Sequence, residues 1–311
     1  MKFNKDLPFV LEKSLSVDNV AIFLFHGVIK KQKDPVRNYT GKHIEVDLFN
    51  SCMKSLKSKG YPLSMDEILF MCLNNLPFPP NSFAITFDDG FENNLSVAAP
   101  LLSDLKIPLT IYITTNFVNK NEMSWIDRIE YIVQEAQSRK LNFDWSTKEF
   151  SINNKESRIE FLNEVRSYVK NTSSCNPNQF ADELSSIFNI PEKINSDDQL
   201  DLKMSWKDII LANQNEYISF GGHSHTHPIL SFLNSEELNY ELDTSLNLLF
   251  EKAGILPKHY SYPEGLEYCF SEEVIKQLKI RGVKCCPTAI KGVNKRNSDP
   301  FRLKRIMVNS Q

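Results

Sequence analysis

Apolar positions along this chain follow two periods, and the switches between them mark its elements. Largely apolar, β-branched and aromatic runs at Asn19–Phe25, Phe83–Phe87, Leu109–Thr114 and Tyr217–Phe220 predict strands with little solvent on either face. Val283–Thr288 and Leu303–Val308 read as two closing strands. Between these runs the spacing becomes helical. Val46, Phe49, Met53 and Leu56 form one stripe within Glu45–Lys59, which Gly60 stops. Ser64–Leu73 follows with Ser64 as N-cap and Glu67 at the capping-box position. Asn93–Leu105 reads as a helix covering the second strand. Asn234 caps another, with Glu237 at its third position and Leu238, Leu242, Leu246 and Leu249 as the buried stripe. Ser271–Arg281 is the last, ended by Gly282. Strand, helix, strand at this spacing requires parallel pairing and an α/β fold.

Residues 116–215 break that rhythm. Trp125–Ala136, Ile159–Val169, Phe180–Phe188 and Trp206–Leu211 each carry a helical apolar face. Polar joints at 171–178 and 195–201 separate them. We read the chain as one domain over 1–311 with 116–215 as a mostly helical insertion. The insertion either roofs a site or packs on the exterior. A polar loop from Lys30 to Tyr39, containing Pro35, is placed at the rim of the site.

Chemistry enters at the strand exits. Phe87 is followed by Asp88-Asp89-Gly90, two adjacent carboxylates and a glycine free to turn sharply. Crowded carboxylates are costly unless a cation or hydrogen bonds compensate. Phe220-Gly221-Gly222 leads into His223-Ser224-His225-Thr226-His227-Pro228, three of the chain's six histidines in five positions. Neutral imidazole is the commonest metal ligand, and a catalytic zinc typically takes three protein ligands. His223, His227 and one of the two aspartates make such a set. On a helical turn the pair four apart shares a face, whereas an extended backbone puts His225 on the same side as the other two.

Thr86-Phe87-Asp88-Asp89-Gly90 and His223-Ser224-His225-Thr226-His227-Pro228 together resemble the two main motifs of the polysaccharide deacetylase family, the NodB-homology carbohydrate esterases. The resemblance implies a distorted (β/α) barrel with its site at the C-terminal strand ends. It implies that Asp88 is the catalytic base and that Asp89, His223 and His227 hold a divalent metal. Zinc is the first choice, and iron, nickel or cobalt also suit such a set. His225 stands at a position the family does not use as a ligand. Tyr262-Pro263-Glu264-Gly265 resembles the third motif, where a backbone N–H near Glu264 helps hold the oxyanion. Ser261 replaces that motif's arginine, and Arg302 or, better, Arg305 is the candidate substitute. No histidine follows His259, so the usual C-terminal acid is missing. In members with rearranged motifs an N-terminal histidine takes its place, which nominates His26. Trp125, Asp127 and Arg128 match a weaker pattern found after the first motif in some bacterial members.

The implied reaction is hydrolysis of an N-acetyl group on a sugar, an oligosaccharide or a sugar-carrier intermediate. A binding-only relative, or a hydrolase of another amide or an O-acyl ester, stays open. A net charge of −3 argues against nucleic acid or an anionic membrane as the main partner. Six cysteines without CxxC pairs fit a reducing, cytoplasmic setting better than a disulfide framework. Ala21–Phe25 is too short for a membrane span or a signal core. Oligomeric state is not legible.

Overall fold

The computed structural model describes residues 6–34, 36–172, 174–191, 193 and 195–310. Pro35, in the expected rim loop, and Ser173, in an expected polar joint, lie outside the described residues. At the centre, Asn19–Phe25 pairs in parallel with Ser82–Phe87, which pairs with Leu109–Ile113, which pairs with Ile218–Gly222. On its other side Asn19–Phe25 takes Ile306–Met307 in parallel and Asn294–Lys295 antiparallel. The wall continues past Gly222 through single parallel bridges, Gly222 to Tyr260 and His259 to Cys285. This is the arrangement of a distorted α/β barrel, and the described residues do not close it with a continuous ladder.

The gap has a local cause. Val283–Thr288 contributes only the Cys285 bridge, because Pro287 has no N–H to donate to a neighbouring strand. Loop hydrogen bonds fill in instead: Cys286 N–H to the Pro300 carbonyl at 2.9 Å, Thr288 N–H to Leu303 at 2.8 Å, and Arg305 N–H to Ile290 at 3.0 Å. The Leu303–Val308 run accordingly shortens to Ile306–Met307.

Register decides where the chemistry emerges. Phe25 lies opposite Phe87, so His26 and Asp88 leave the sheet as neighbours. Ile113 lies opposite Gly222, so His223 leaves at the same edge. Below that edge Phe25 stacks on Phe87 with centroids 5.4 Å apart, and both meet Phe49 edge-on. Phe49 is delivered by the Val46–Lys59 helix, whose buried face is Phe49, Cys52, Met53 and Leu56. The capping box of Ser64 and Glu67 forms on Met65–Leu73. The helix after Gly90 starts as a wide π turn, Asn94–Ala98, before the α turns of Ala99–Asp104. Pro100 cannot donate the bond that would tighten it. Asn94 then uses its side-chain amide to hold the His26 carbonyl at 2.8 Å.

The 116–215 region is mainly helical: Thr115–Lys120, Trp125–Glu135, Lys155–Asn171, Pro177–Phe188 and Trp206–Ala212. It also holds a short hairpin, Lys140–Leu141 with Phe150–Ser151, which periodicity does not predict because each arm is two residues long. Ile129, Ile132, Phe150, Phe161, Val165 and Leu184 are among the residues of a second apolar cluster, which also takes in Val36 and Tyr39 from outside the insertion. The Leu7–Glu12 helix is also unpredicted.

Candidate metal and catalytic site

Asp89, His223 and His227 converge so that one ligand atom of each lies within 4.8 Å of the others. Asp89 Oδ1 is 3.6 Å from His223 Nε2 and 3.5 Å from His227 Nε2. The donor set suits a divalent ion, and its orientation is fixed from behind. His223 Nδ1 donates to the Ser261 carbonyl at 2.8 Å, which leaves Nε2 as the unprotonated ligand atom. Burial depresses the His223 pKa, against the pull of Asp88. Burial pushes the Asp89 carboxyl up, but His227 and His26 outweigh it and the net shift is downward.

The second motif is neither helical nor extended. Ser224 and His227 have φ of 63° and 65°, in the left-handed region that non-glycine residues avoid. Hydrogen bonds hold the bend: Tyr260 Oη accepts from Ser224 N–H at 2.8 Å, and Ser224 Oγ accepts from His227 N–H at 2.9 Å. Glu241 accepts from the N–H groups of His225 and Thr226 at 2.8 and 2.9 Å. The bend turns His225 away from the other two, and its Nδ1 meets Thr115 Oγ1 at 2.9 Å. His225 is therefore outside the ligand cluster, so a strand-like alternation of three ligands does not form. His225→Gln is expected to retain one metal per chain, measured by elemental analysis; loss of the metal would return His225 to the ligand set.

Asp88 sits beside this cluster and is clamped. Arg305 Nη1 and Nη2 donate to its two oxygens, each at 2.8 Å. Arg305 is itself fixed by the Thr288 carbonyl at 2.7 Å and Ser261 Oγ at 2.8 Å. Burial raises the Asp88 carboxyl, but Arg305 and His223 outweigh it, so it stays below the usual range. Arg302 instead pairs with Glu272 and Asp299 at the surface. The role an arginine at position 261 would play is thus filled from the far end of the chain, and Ser261 bridges to it.

These groups line a cavity of about 280 Å³ that also includes His26. His26 Nδ1 is buried without a protein partner among the described residues, and burial holds its pKa low against Asp89 and Asp88. In the third motif, Glu264 reaches the cavity. Its φ of 58° turns the chain, and Gly265 follows with a φ of 61° where a Cβ would lie 2.6 Å from the Ala289 nitrogen. Tyr262 does not face substrate space: its ring is buried against Phe270 and its hydroxyl donates to the Phe301 carbonyl at 3.0 Å. Pro263 and Gly265 are also buried and shape the turn.

The family model for polysaccharide deacetylases matches residues 75–285, more than half of the chain. The chain belongs to the polysaccharide deacetylase family. Solved structures of similar fold include the deacetylase PplD of Streptococcus pyogenes in complex with acetate, at 16% identity and a TM-score of 0.61, covering 95% of this chain and 94% of that one. IcaB of Ammonifex degensii is similar at 14% identity and a TM-score of 0.59, covering 95% and 94%. A de-N-acetylase of Aggregatibacter actinomycetemcomitans gives 13%, 0.59, 94% and 96%. Nothing among curated protein sequences matches the chain significantly.

Within this deacetylase fold the cavity has further walls, of which motif reading singles out Trp125 alone. Ser124, Trp125, Ile126, Arg166 and Lys170 come from the insertion, and Lys42 comes from the segment after the rim loop. Lys170 pairs with Glu264, tying the Lys155–Asn171 helix to the third motif. That contact, with nearby His227 and Arg166, holds Glu264 at about 2 despite burial. Asp127 pairs with Lys42 and accepts from Ser124 Oγ at 2.6 Å, while Arg128 pairs with Asp182. The Trp-x-Asp-Arg pattern therefore anchors the insertion, and only its tryptophan touches the cavity.

Proposed function

We propose that this protein is a metal-dependent deacetylase that removes an N-acetyl group from an aminosugar in a glycan or glycan precursor. The observation that carries this reading is the Asp89, His223 and His227 cluster beside an arginine-clamped Asp88 in one cavity. The structural relatives named as deacetylases, one of them holding acetate, support it.

An amide resists water because water is a weak nucleophile and the tetrahedral intermediate is anionic. A divalent ion held by Asp89, His223 and His227 would supply Lewis acidity, stabilising the acyl oxygen and making water more acidic. Asp88 accepts the proton of the attacking water at a carboxylate oxygen. Its clamp keeps it ionised and fixes the lone pair's direction, a positional requirement of general base catalysis. The Glu264 N–H, at the turn that faces the cavity, is the backbone donor for the developing oxyanion; one such donor is worth roughly 3 kcal/mol. His26 in its protonated form gives a proton to the departing amine while Asp88 holds the one taken from water, and the C–N bond breaks to leave acetate and a free amino sugar; passing the Asp88 proton to His26 resets the pair. Trp125 and Ile126 give the same cavity an apolar wall.

The test is acetate release from a panel of N-acetylated sugars before chelation, after chelation, and after return of zinc or cobalt. Release that vanishes on chelation and returns with metal is the expected result. Release that survives complete removal of metal would overturn the metal-dependent reading.

A further inference from the structure

Histidines aside, six charged side chains line the cavity: Lys42, Asp88, Asp89, Arg166, Lys170 and Glu264. Five of them have a partner in place. Lys42 pairs with Asp127, Asp88 with Arg305, and Lys170 with Glu264, while Asp89 faces the two ligand histidines. The sixth is Arg166. No carboxylate comes within ion-pair distance of its guanidinium among the described residues, and its Nη1 is buried without a hydrogen-bond partner. Burial opposes its charge, but nearby Tyr39, Glu264 and Glu130 outweigh it. Glu264 is already held by Lys170, however, and the Tyr39 hydroxyl itself has no hydrogen-bond partner.

The helix that carries Arg166 is fixed at this wall. Arg166 stands four residues before Lys170 in Lys155–Asn171, so the two share one face a turn apart, with Cβ atoms roughly 5–6 Å from each other. Val165 and Val169 are buried and seat the helix in the second apolar cluster. Lys170 is tied to Glu264, which puts Arg166 one turn along the wall from the third motif. A buried charge without a partner is costly, and native folds rarely leave a buried polar atom unsatisfied. At the wall of a cavity, the missing charge is supplied by what enters. A guanidinium is always protonated and presents a planar fork that matches the oxygens of a carboxylate or phosphate. A sugar hydroxyl can accept one hydrogen bond from it but leaves the charge unmatched.

We propose that Arg166 receives an anionic group of the substrate, a phosphate or a carboxylate carried by the sugar in the cavity, so that the protein acts on acidic rather than neutral N-acetyl sugars. The proposal rests on the deacetylase reading for the chemistry at the metal ligands, but the preference for an oxyanion is a binding property that can be measured without turnover.

The experiment compares wild type with Arg166→Gln on N-acetylglucosamine, its 1-phosphate and 6-phosphate esters, and N-acetylmuramic acid, whose charge is a carboxylate. Acetate release, calorimetric binding to the metal-chelated protein and denaturant unfolding are all read. Wild type is expected to favour an anionic sugar over the neutral one, and Arg166→Gln to lower that ratio about tenfold or more, in affinity and, through KM, in kcat/KM. A phosphate ester in the lead, or the carboxylate sugar in the lead, identifies which group supplies the charge. Arg166→Gln removes an unpaired buried charge, so it should unfold at no lower denaturant than wild type. If it unfolds markedly earlier, Arg166 serves the fold through Glu130 or Tyr39 and the proposal is overturned. If wild type releases acetate with no preference for any anionic sugar, the proposal falls and the deacetylase reading stands. If no sugar releases acetate, but chelated wild type binds an anionic sugar more tightly than N-acetylglucosamine and Arg166→Gln does not, the anion site stands and the deacetylase reading fails.

Discussion

Asp89→Asn protein, purified and analysed for bound metal, is expected to hold zinc at least ~100-fold more weakly than wild type. Its acetate release should fall about 10³-fold or more, because on the proposed mechanism the lost Lewis acid would serve both nucleophile and oxyanion. Asparagine is the informative replacement here. Asp89 has a φ of 76°, a conformation asparagine tolerates and alanine does not, so Asp89→Ala adds a backbone cost of roughly 1–2 kcal/mol to the loss of the ligand. The same reasoning applies to His227, at φ 65°, where His227→Asn preserves the bend better than His227→Ala. Thermal denaturation of each variant, run beside the metal analysis, separates loss of fold from loss of ligand. An Asp89→Asn protein that binds zinc as tightly as wild type and turns over normally would sink the assignment of the metal site.

Asp88, Asp89 and His223 were legible because they come at a strand exit. Asp88 and Asp89 come straight after Phe87, and His223 straight after Gly222, so strand register alone sets them together. Identifying His26 needed the resemblance, but its delivery to the same edge follows from the pairing of Phe25 with Phe87. The conformation between His223 and His227 was not legible, since it depends on Tyr260, Glu241 and Ser224 meeting in space. Neither the helical nor the extended alternative describes a loop with two left-handed residues. The insertion's helices could be read from their stripes, but its contact with the site could not. Part of that contact is made by polar side chains, Lys170 to Glu264 and Lys42 to Asp127, which leave no periodic trace in sequence. The closing strand at Val283–Thr288 was over-read because apolar content outweighed Pro287 in the reading, whereas a hydrogen-bond ladder is decided by the missing N–H.

The Arg305 clamp has the second large consequence, and it joins residues 217 positions apart. Arg305→Met keeps most of the side-chain volume but leaves the Asp88 carboxylate buried without its two charge-assisted bonds. Removing one partner of a buried pair costs about 3–5 kcal/mol, more than the net worth of the pair itself. Ser261 Oγ and the Thr288 carbonyl lose a donor in the same stroke. The variant should therefore unfold at markedly lower denaturant. Arg305→Lys should rescue little of this, since an ammonium cannot make two parallel bonds to one carboxylate while holding the Thr288 carbonyl. Asp88→Asn alone should bind metal and lose turnover by about 10³-fold, because on the proposed mechanism it removes the base and spares the ligands. Combining Arg305→Met with Asp88→Asn removes the stranded charge, so the double variant should be more stable than Arg305→Met alone. A coupling of at least ~1 kcal/mol is expected for side chains in direct contact. In turnover the double variant should be no worse than Asp88→Asn, because the clamp acts only through the base it holds. Strict additivity in both stability and rate would mean that Arg305 and Asp88 contribute independently, and the positioning role given to Arg305 would fall.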